Sequence, residues 1–253
     1  MIATLKAEFR KLLTVRSTYI ITILVVLAVS LIAFFLEGWN LKGAALHDPA
    51  QLAGDVTGAL NITVFGAIVA ILLMTHEYRY NTIMYTLTSS NSRAKVLAAK
   101  VVAASVYALF LVVLIGVLSP VMSYLGVHAH GNTLAPQTLH YGDLIWRSLF
   151  YGWAYGMIGL LLAMLTRNQV ASIVALFLIP DLVEQLLGFL LLKHNAVYMP
   201  FSALTQVING PSSAQSMPTA STLSSGNAAL VVCVYLVVGW IAAWILFLKR
   251  DAN

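Results

Sequence analysis

Residues 76–100, HEYRYNTIMYTLTSSNSRAKVLAAK, form a polar island between two long apolar runs, Gly58 to Thr75 and Val101 to Leu125. The island holds Arg79, Arg93, Lys95 and Lys100, four of the chain's fourteen Lys and Arg residues. It is too polar to rest in hydrocarbon. It is also too patterned for a bare linker: Glu77 to Leu87 lacks proline and glycine and carries Tyr78, Tyr80 and Tyr85. The spacing predicts a short helix there and a break at Ser89-Ser90-Asn91-Ser92. A second helix, capped by Asn91 or Ser92, then runs through Arg93, Lys95 and Lys100 into the next apolar run. A solvated loop whose charges only set topology would need neither this length nor these aromatics.

Composition fixes the class around that island. The chain of 253 residues is 60% hydrophobic and 9% charged, with a mean hydropathy of +0.88, against roughly 25% charged in soluble domains. That deficit marks an integral membrane protein. Six apolar runs stand out, at about 18–36, 58–75, 101–125, 148–165, 170–192 and 228–248. Each approaches the ~20 residues that a spanning helix needs. They are continuous rather than alternating, so the fold class is an all-α membrane protein with six transmembrane helices and one domain over residues 1–253.

With the N-terminus placed inside, eleven Lys and Arg face the cytoplasm (Lys6, Arg10, Lys11, Arg16, Arg79, Arg93, Lys95, Lys100, Arg167, Lys249 and Arg250). Lys42, Arg147 and Lys193 face out. This split predicts cytoplasmic termini and a cytoplasmic 76–100 segment. The net charge of +5 is therefore a topology signal and not a nucleic-acid signal.

Residues 1–16 read as an amphipathic helix lying in the membrane interface. Ile2, Leu5, Phe9, Leu12 and Leu13 share one face, and Arg10 and Lys11 point away from it. The segments 37–57, 126–146 and 193–227 read as external, with Asp143 a cap for a helix starting near Leu144 and 209–227 loosely ordered. Cys233 stands alone, so no intrachain disulfide forms. The external pair His128 and His130 with His140 reads as incidental, so no metal site is expected.

Two acids fall inside the fifth run. Asp181 and Glu184 lie on one helical face just after Pro180, whose ring frees a carbonyl and kinks the helix. They read either as a substrate-pathway lining that attracts cations or as structural acids in a broken span. Gly152, Gly156 and Gly159 in the fourth run permit close helix approach, within the chain more readily than across a dimer seam.

The 76–100 residues also carry a resemblance. Glu77-Tyr78-Arg79-Tyr80-Asn81-Thr82-Ile83, then Leu87-Thr88-Ser89, Arg93 and Lys100, resemble the segment after the second span of ABC-2 type permeases. Asn81 stands where that family usually has glycine, and asparagine tolerates the left-handed conformation. Ala7-Glu8-Phe9-Arg10-Lys11-Leu12, followed by Thr14-Val15-Arg16-Ser17, is similar to the family's lead-in helix. The resemblance covers essentially the whole chain.

The resemblance implies a permease subunit in an ATP-driven exporter of the bacterial inner membrane. The chain is then not an enzyme. A separate cassette ATPase subunit would bind ATP and Mg, and this chain would carry no cofactor. A second permease, identical or different, would complete the pathway at a dimer interface formed by spans 1 and 5. The 76–100 segment would be the coupling element, with Glu77, Tyr78, Arg79, Thr82, Tyr85 and Arg93 contacting the ATPase. The sequence holds no Gly-x-x-x-x-Gly-Lys-Ser/Thr phosphate loop of its own. An amphipathic drug or antimicrobial peptide is the expected substrate. Two other classes compete. An ion-coupled secondary transporter would use Asp181 and Glu184, and an intramembrane enzyme would need a nucleophile–base pair that the sequence does not display.

Overall fold

A computed structural model of the protein describes residues 2–80, 82, 85, 92–138, 140–209 and 223–249. Among these residues there is no strand, and the apolar runs become helices. The amphipathic helix α1 spans Ile2–Thr14. Helices α2 (Arg16–Trp39), α3 (Gln51–Arg79), α4 (Arg93–Ala129), α5 (Tyr141–Thr166), α6 (Gln169–Leu190) and α8 (Ser225–Lys249) follow, with the shorter α7 (Pro200–Asn209) before the last. The six long ones are each long and apolar enough to cross a membrane.

Helices α3 and α5 form the middle of the bundle. Leu60, Ile71 and Met74 of α3 and Met157 and Leu160 of α5 are fully enclosed, together with Leu97, Leu111 and Ile115 of α4. Small residues set this closeness. A methyl group on Gly159 would run into the Ala67 backbone of α3, and Gly156 faces Ala108 of α4. The fourth-run glycines thus pack within the chain, where close backbone approach gives dispersion contact that lipid cannot replace. Helices α2 and α6 lie at the periphery and show apolar side chains such as Ile20, Leu24, Leu27, Phe177 and Leu190.

At the end away from α1, α2 widens into a π-helix over Ile32–Trp39. There Gly38 meets Gly126 of α4 so tightly that neither has room for a Cβ. Pro180 likewise sits at the start of a π-helical stretch, Ile179–Glu184. The chain stays helical through it, because the wider turn accommodates the ring and the carbonyl it frees.

Three boundaries differ from the sequence expectation. Helix α3 begins at Gln51 and not near residue 58, because Gln51 and Asp55 pair with each other and Asp55 has a partner waiting on the neighbouring helix. Helix α5 begins at Tyr141, which puts Asp143 in its first turn. Asp143 accepts from Trp146 Nε1 (3.3 Å) and Arg147 (3.4 Å) of the same helix instead of capping it. Within 193–227, α7 is packed, with Phe201, Leu204, Val207 and Ile208 buried against α5 and α8. Pro200 at its first position and apolar residues three and four apart account for the helix. Of the stretch 209–227 expected to be loosely ordered, Asn209 ends α7 and residues 225–227 already belong to α8, while 210–222 lie outside the described residues, as do Asn81 and the Ser89–Asn91 break.

The glycine contacts give a measurable pair. Gly159→Ala is expected to lower stability by about 1–3 kcal/mol through overpacking. Gly116→Ala places its methyl where no atom lies within 4 Å, and it is expected to be neutral or mildly stabilising. Thermal unfolding of the full chain in detergent reads both, and the reverse order would contradict the packing described.

Candidate functional site

The last turn of α3 is where the polar island leaves the bundle. Its Glu77 points inward and is buried. Two other elements meet it there: α1 lies along the start of α4, bringing Glu8 and Lys11, and α4 brings Lys100. These four side chains close a ring of alternating charge. Lys11 Nζ lies 2.7 Å from Glu8 Oε1 and also contacts Glu77 Oε1. Lys100 Nζ lies 2.8 Å from Glu77 Oε1 and 3.0 Å from Glu8 Oε2.

Burial makes the ring consequential. Glu8 and Lys100 are 0% and 1% exposed. An ammonium has three donors, and Lys100 places them on Glu8, Glu77 and the Leu73 carbonyl at 3.1 Å. Desolvating such ions costs several kcal/mol each, and only close, fully hydrogen-bonded pairing repays it. Lys11, at the solvent edge, shows the balance. Burial works to lower its pKa, but hydrogen bonds and Coulomb attraction from Glu77 and Glu8 outweigh that and raise it above 10.5. A raised lysine stabilises the fold fully below the unfolded value. Its contribution is lost only as pH climbs through the higher folded value, so what Lys11 adds is insensitive to pH near neutrality.

The opposite face of the same turn is also tied down. The Arg167 guanidinium lies over the Tyr78 ring at 5.3 Å, and Arg79 Nη1 reaches Gln169 Oε1 at 3.4 Å. Arg167 has φ 53°, a left-handed turn that joins α5 to α6. The exit of the polar island is therefore held from α1 and α4 on one side and from the α5–α6 turn on the other.

The predicted coupling residues separate by exposure. Glu77 is buried and Tyr78 half-buried, whereas Arg79, Thr82 and Tyr85 are exposed. The Arg93 backbone opens α4 after an extended Ser92, and its side chain lies outside the described residues. Sequence reasoning misses Lys11 and Lys100 as partners of Glu77 and Glu8 as the acid opposite it in the ring, and it turns Lys11 away from the packed side of α1. The available signal is Glu8 itself, a carboxylate amid Leu5, Phe9 and Leu12, with Lys11 three residues on.

The pair in the fifth run also separates. Glu184 accepts from the backbone N–H groups of Phe201 and Ser202, both at 2.8 Å, and from Ser202 Oγ at 2.9 Å. It thus serves the N-terminus of α7, where orphan donors and the helix dipole favour an anion. Asp181 is exposed. A further acid, unassigned by sequence, is Asp55. Its carboxylate accepts from Ser123 Oγ at 2.6 Å and Gln51 Nε2 at 2.7 Å, and it locks α3 to α4 at the end away from the ring.

Removing one ring member leaves a buried charge unbalanced. Lys100→Met is expected to cost about 3–5 kcal/mol. Adding Glu8→Gln to it removes a charge of the opposite sign, so the double variant is expected to recover part of that loss. A double-mutant cycle in detergent unfolding checks this; strict additivity would show that the two side chains do not act together.

Comparison with known proteins adds one match. A family model described as ABC-2 family transporter protein covers residues 2–252. No curated protein matches the chain.

Proposed function

The chain belongs to the ABC-2 transporter family, and we propose that it is the permease subunit of an ATP-driven exporter. It is a multi-pass membrane protein and a transport component, not itself catalytic. In this reading a separate cassette ATPase binds ATP and Mg, and two permease subunits form the pathway between them in a bacterial inner membrane, with both termini cytoplasmic. The exposed apolar faces of α2 and α6 suit a permease–permease contact.

The observation that carries the reading is the ionic ring at the exit of the polar island. A loop that only set topology would have no need of four paired charges at its root. Here the root is fastened to α1, α4 and the α5–α6 turn. Motion imposed on 76–100 by a partner would reach the bundle as displacement of helices, not as bending of a tether. Arg79, Thr82 and Tyr85 face outward from that root and supply the partner-facing surface, with Arg93 beside them in sequence. Such coupling is a population shift between two packings, driven by differential binding of the cassette.

An amphipathic, cationic drug or antimicrobial peptide is the substrate class this reading favours, with Asp181 the open acid of its pathway. The three hydrogen bonds at Glu184 leave Asp181 as the exposed member of the pair. An ion-coupled carrier would need both acids to exchange cations, so this arrangement weighs against it.

The test is co-purification of the chain with its cassette protein and ATPase assay in lipid. Arg79→Ala with Tyr85→Ala, both exposed, is expected to leave the chain folded but to weaken the complex or uncouple its ATPase at least ~10-fold, the effect of losing about 1.4 kcal/mol of contact. A fully active complex from that variant, or no complex with any cassette, would overturn the assignment. Asp181→Asn is expected to reduce export of a cationic substrate with assembly intact; unchanged export would remove Asp181 from the pathway.

A further inference from the structure

A cavity of about 450 Å³ opens between the end of α1, the first turn of α2 and the last turns of α3. Its wall is apolar, with Val69, Leu72 and Leu73 of α3. Its polar lining is different in kind and includes Lys11, Arg16 and His76. Glu77 lines it too, but that carboxylate belongs to the ring. Two acids and two lysines there sum to zero. Arg16 is left over: it is exposed and forms no ion pair among the described residues.

The level of Arg16 follows from its neighbours. The next residues along the outer side of α2 are Ile20, Ile23, Leu24 and Leu27, all exposed and apolar. In a membrane such side chains meet hydrocarbon or the apolar face of a second permease, so Arg16 stands where apolar surroundings give way to water. A ligand fitting this place has an acidic head at Arg16 and an alkyl portion against Val69 and Leu72. Ser17 and Thr18 offer hydroxyl donors beside the head.

We propose that this cavity binds an anionic phospholipid, with its phosphate on Arg16 beside the Ser17 and Thr18 hydroxyls and the first methylenes of an acyl chain along the α3 wall. An arginine fork suits phosphate geometry better than a point charge does. The site is independent of the cassette reading, since it requires only that the chain span a lipid bilayer. A lipid seated there fills the gap between α1–α2 and the end of α3, beside the ionic ring.

Native mass spectrometry of the full chain in detergent tests this, with phosphatidylglycerol and phosphatidylcholine of identical acyl chains as probes and inorganic phosphate as competitor. The expected result is selective retention of phosphatidylglycerol, reduced about fivefold by Arg16→Gln. Arg10→Gln, an exposed cation of α1 outside the cavity lining, is expected to change it less than about twofold. Equal retention of the two lipids overturns the proposal. So does an equal loss from Arg10→Gln, which would mean general surface charge. Displacement by millimolar inorganic phosphate alone would mean a free-anion site and overturns the lipid.

Discussion

Four charges set in alternation are what the α1 end of this bundle depends on. Glu8, Lys11, Glu77 and Lys100 come from three elements far apart in sequence. The three buried ones, Glu8, Glu77 and Lys100, would not be tolerated there singly, since an isolated ion in a low-dielectric interior costs several kcal/mol. Together they neutralise each other and fix the position of α1 against α3 and α4. A slip of one helical turn by any of the three would leave like charges facing or donors unmet. The ring is therefore a registration device as well as a source of cohesion, and it stands at the root of the polar segment.

The rest of the bundle follows a different rule. Helices α3 and α5 meet through Gly159 and Ala67, and α5 meets α4 through Gly156 and Ala108, so contact comes from small residues and close backbones. At the far end Asp55 and its serine partner join α3 to α4. The buried carboxylates thus lie near the two ends, while smaller hydrogen bonds such as Trp153 Nε1 to Ser105 Oγ at 3.1 Å join the close-packed helices between them. This suits a bundle whose periphery, α2 and α6, offers apolar side chains to whatever surrounds it.

Six helices are legible in the sequence because twenty or so apolar residues in a row have few alternatives. Their ends are less so. The pattern puts the α3 start at residue 58, since Gln51 and Asp55 look like loop residues until Ser123 is seen opposite Asp55. Helix α7 hides between prolines and serines, although Phe201, Leu204, Val207 and Ile208 keep helical spacing. Glu77 is legible as a special residue, but its partners are not, because pairing across 66 positions is tertiary information. The role of Glu184 is ambiguous for the same reason: its partners, Phe201 and Ser202, lie on a helix that the pattern alone does not declare.

The contact of Gly38 with Gly126 carries a mechanical consequence. Backbones that close leave little room to slide, so a movement of α2 against α4 would pivot near that point. A helix rising about 1.5 Å per residue covers roughly 33 Å from Gly38 back to Arg16, and a tilt of about 5° there would carry its other end ~3 Å. The far contact would then serve as a fulcrum. A small angle at one end of α2 would become a displacement at the other comparable with the width of the cavity beside Arg16.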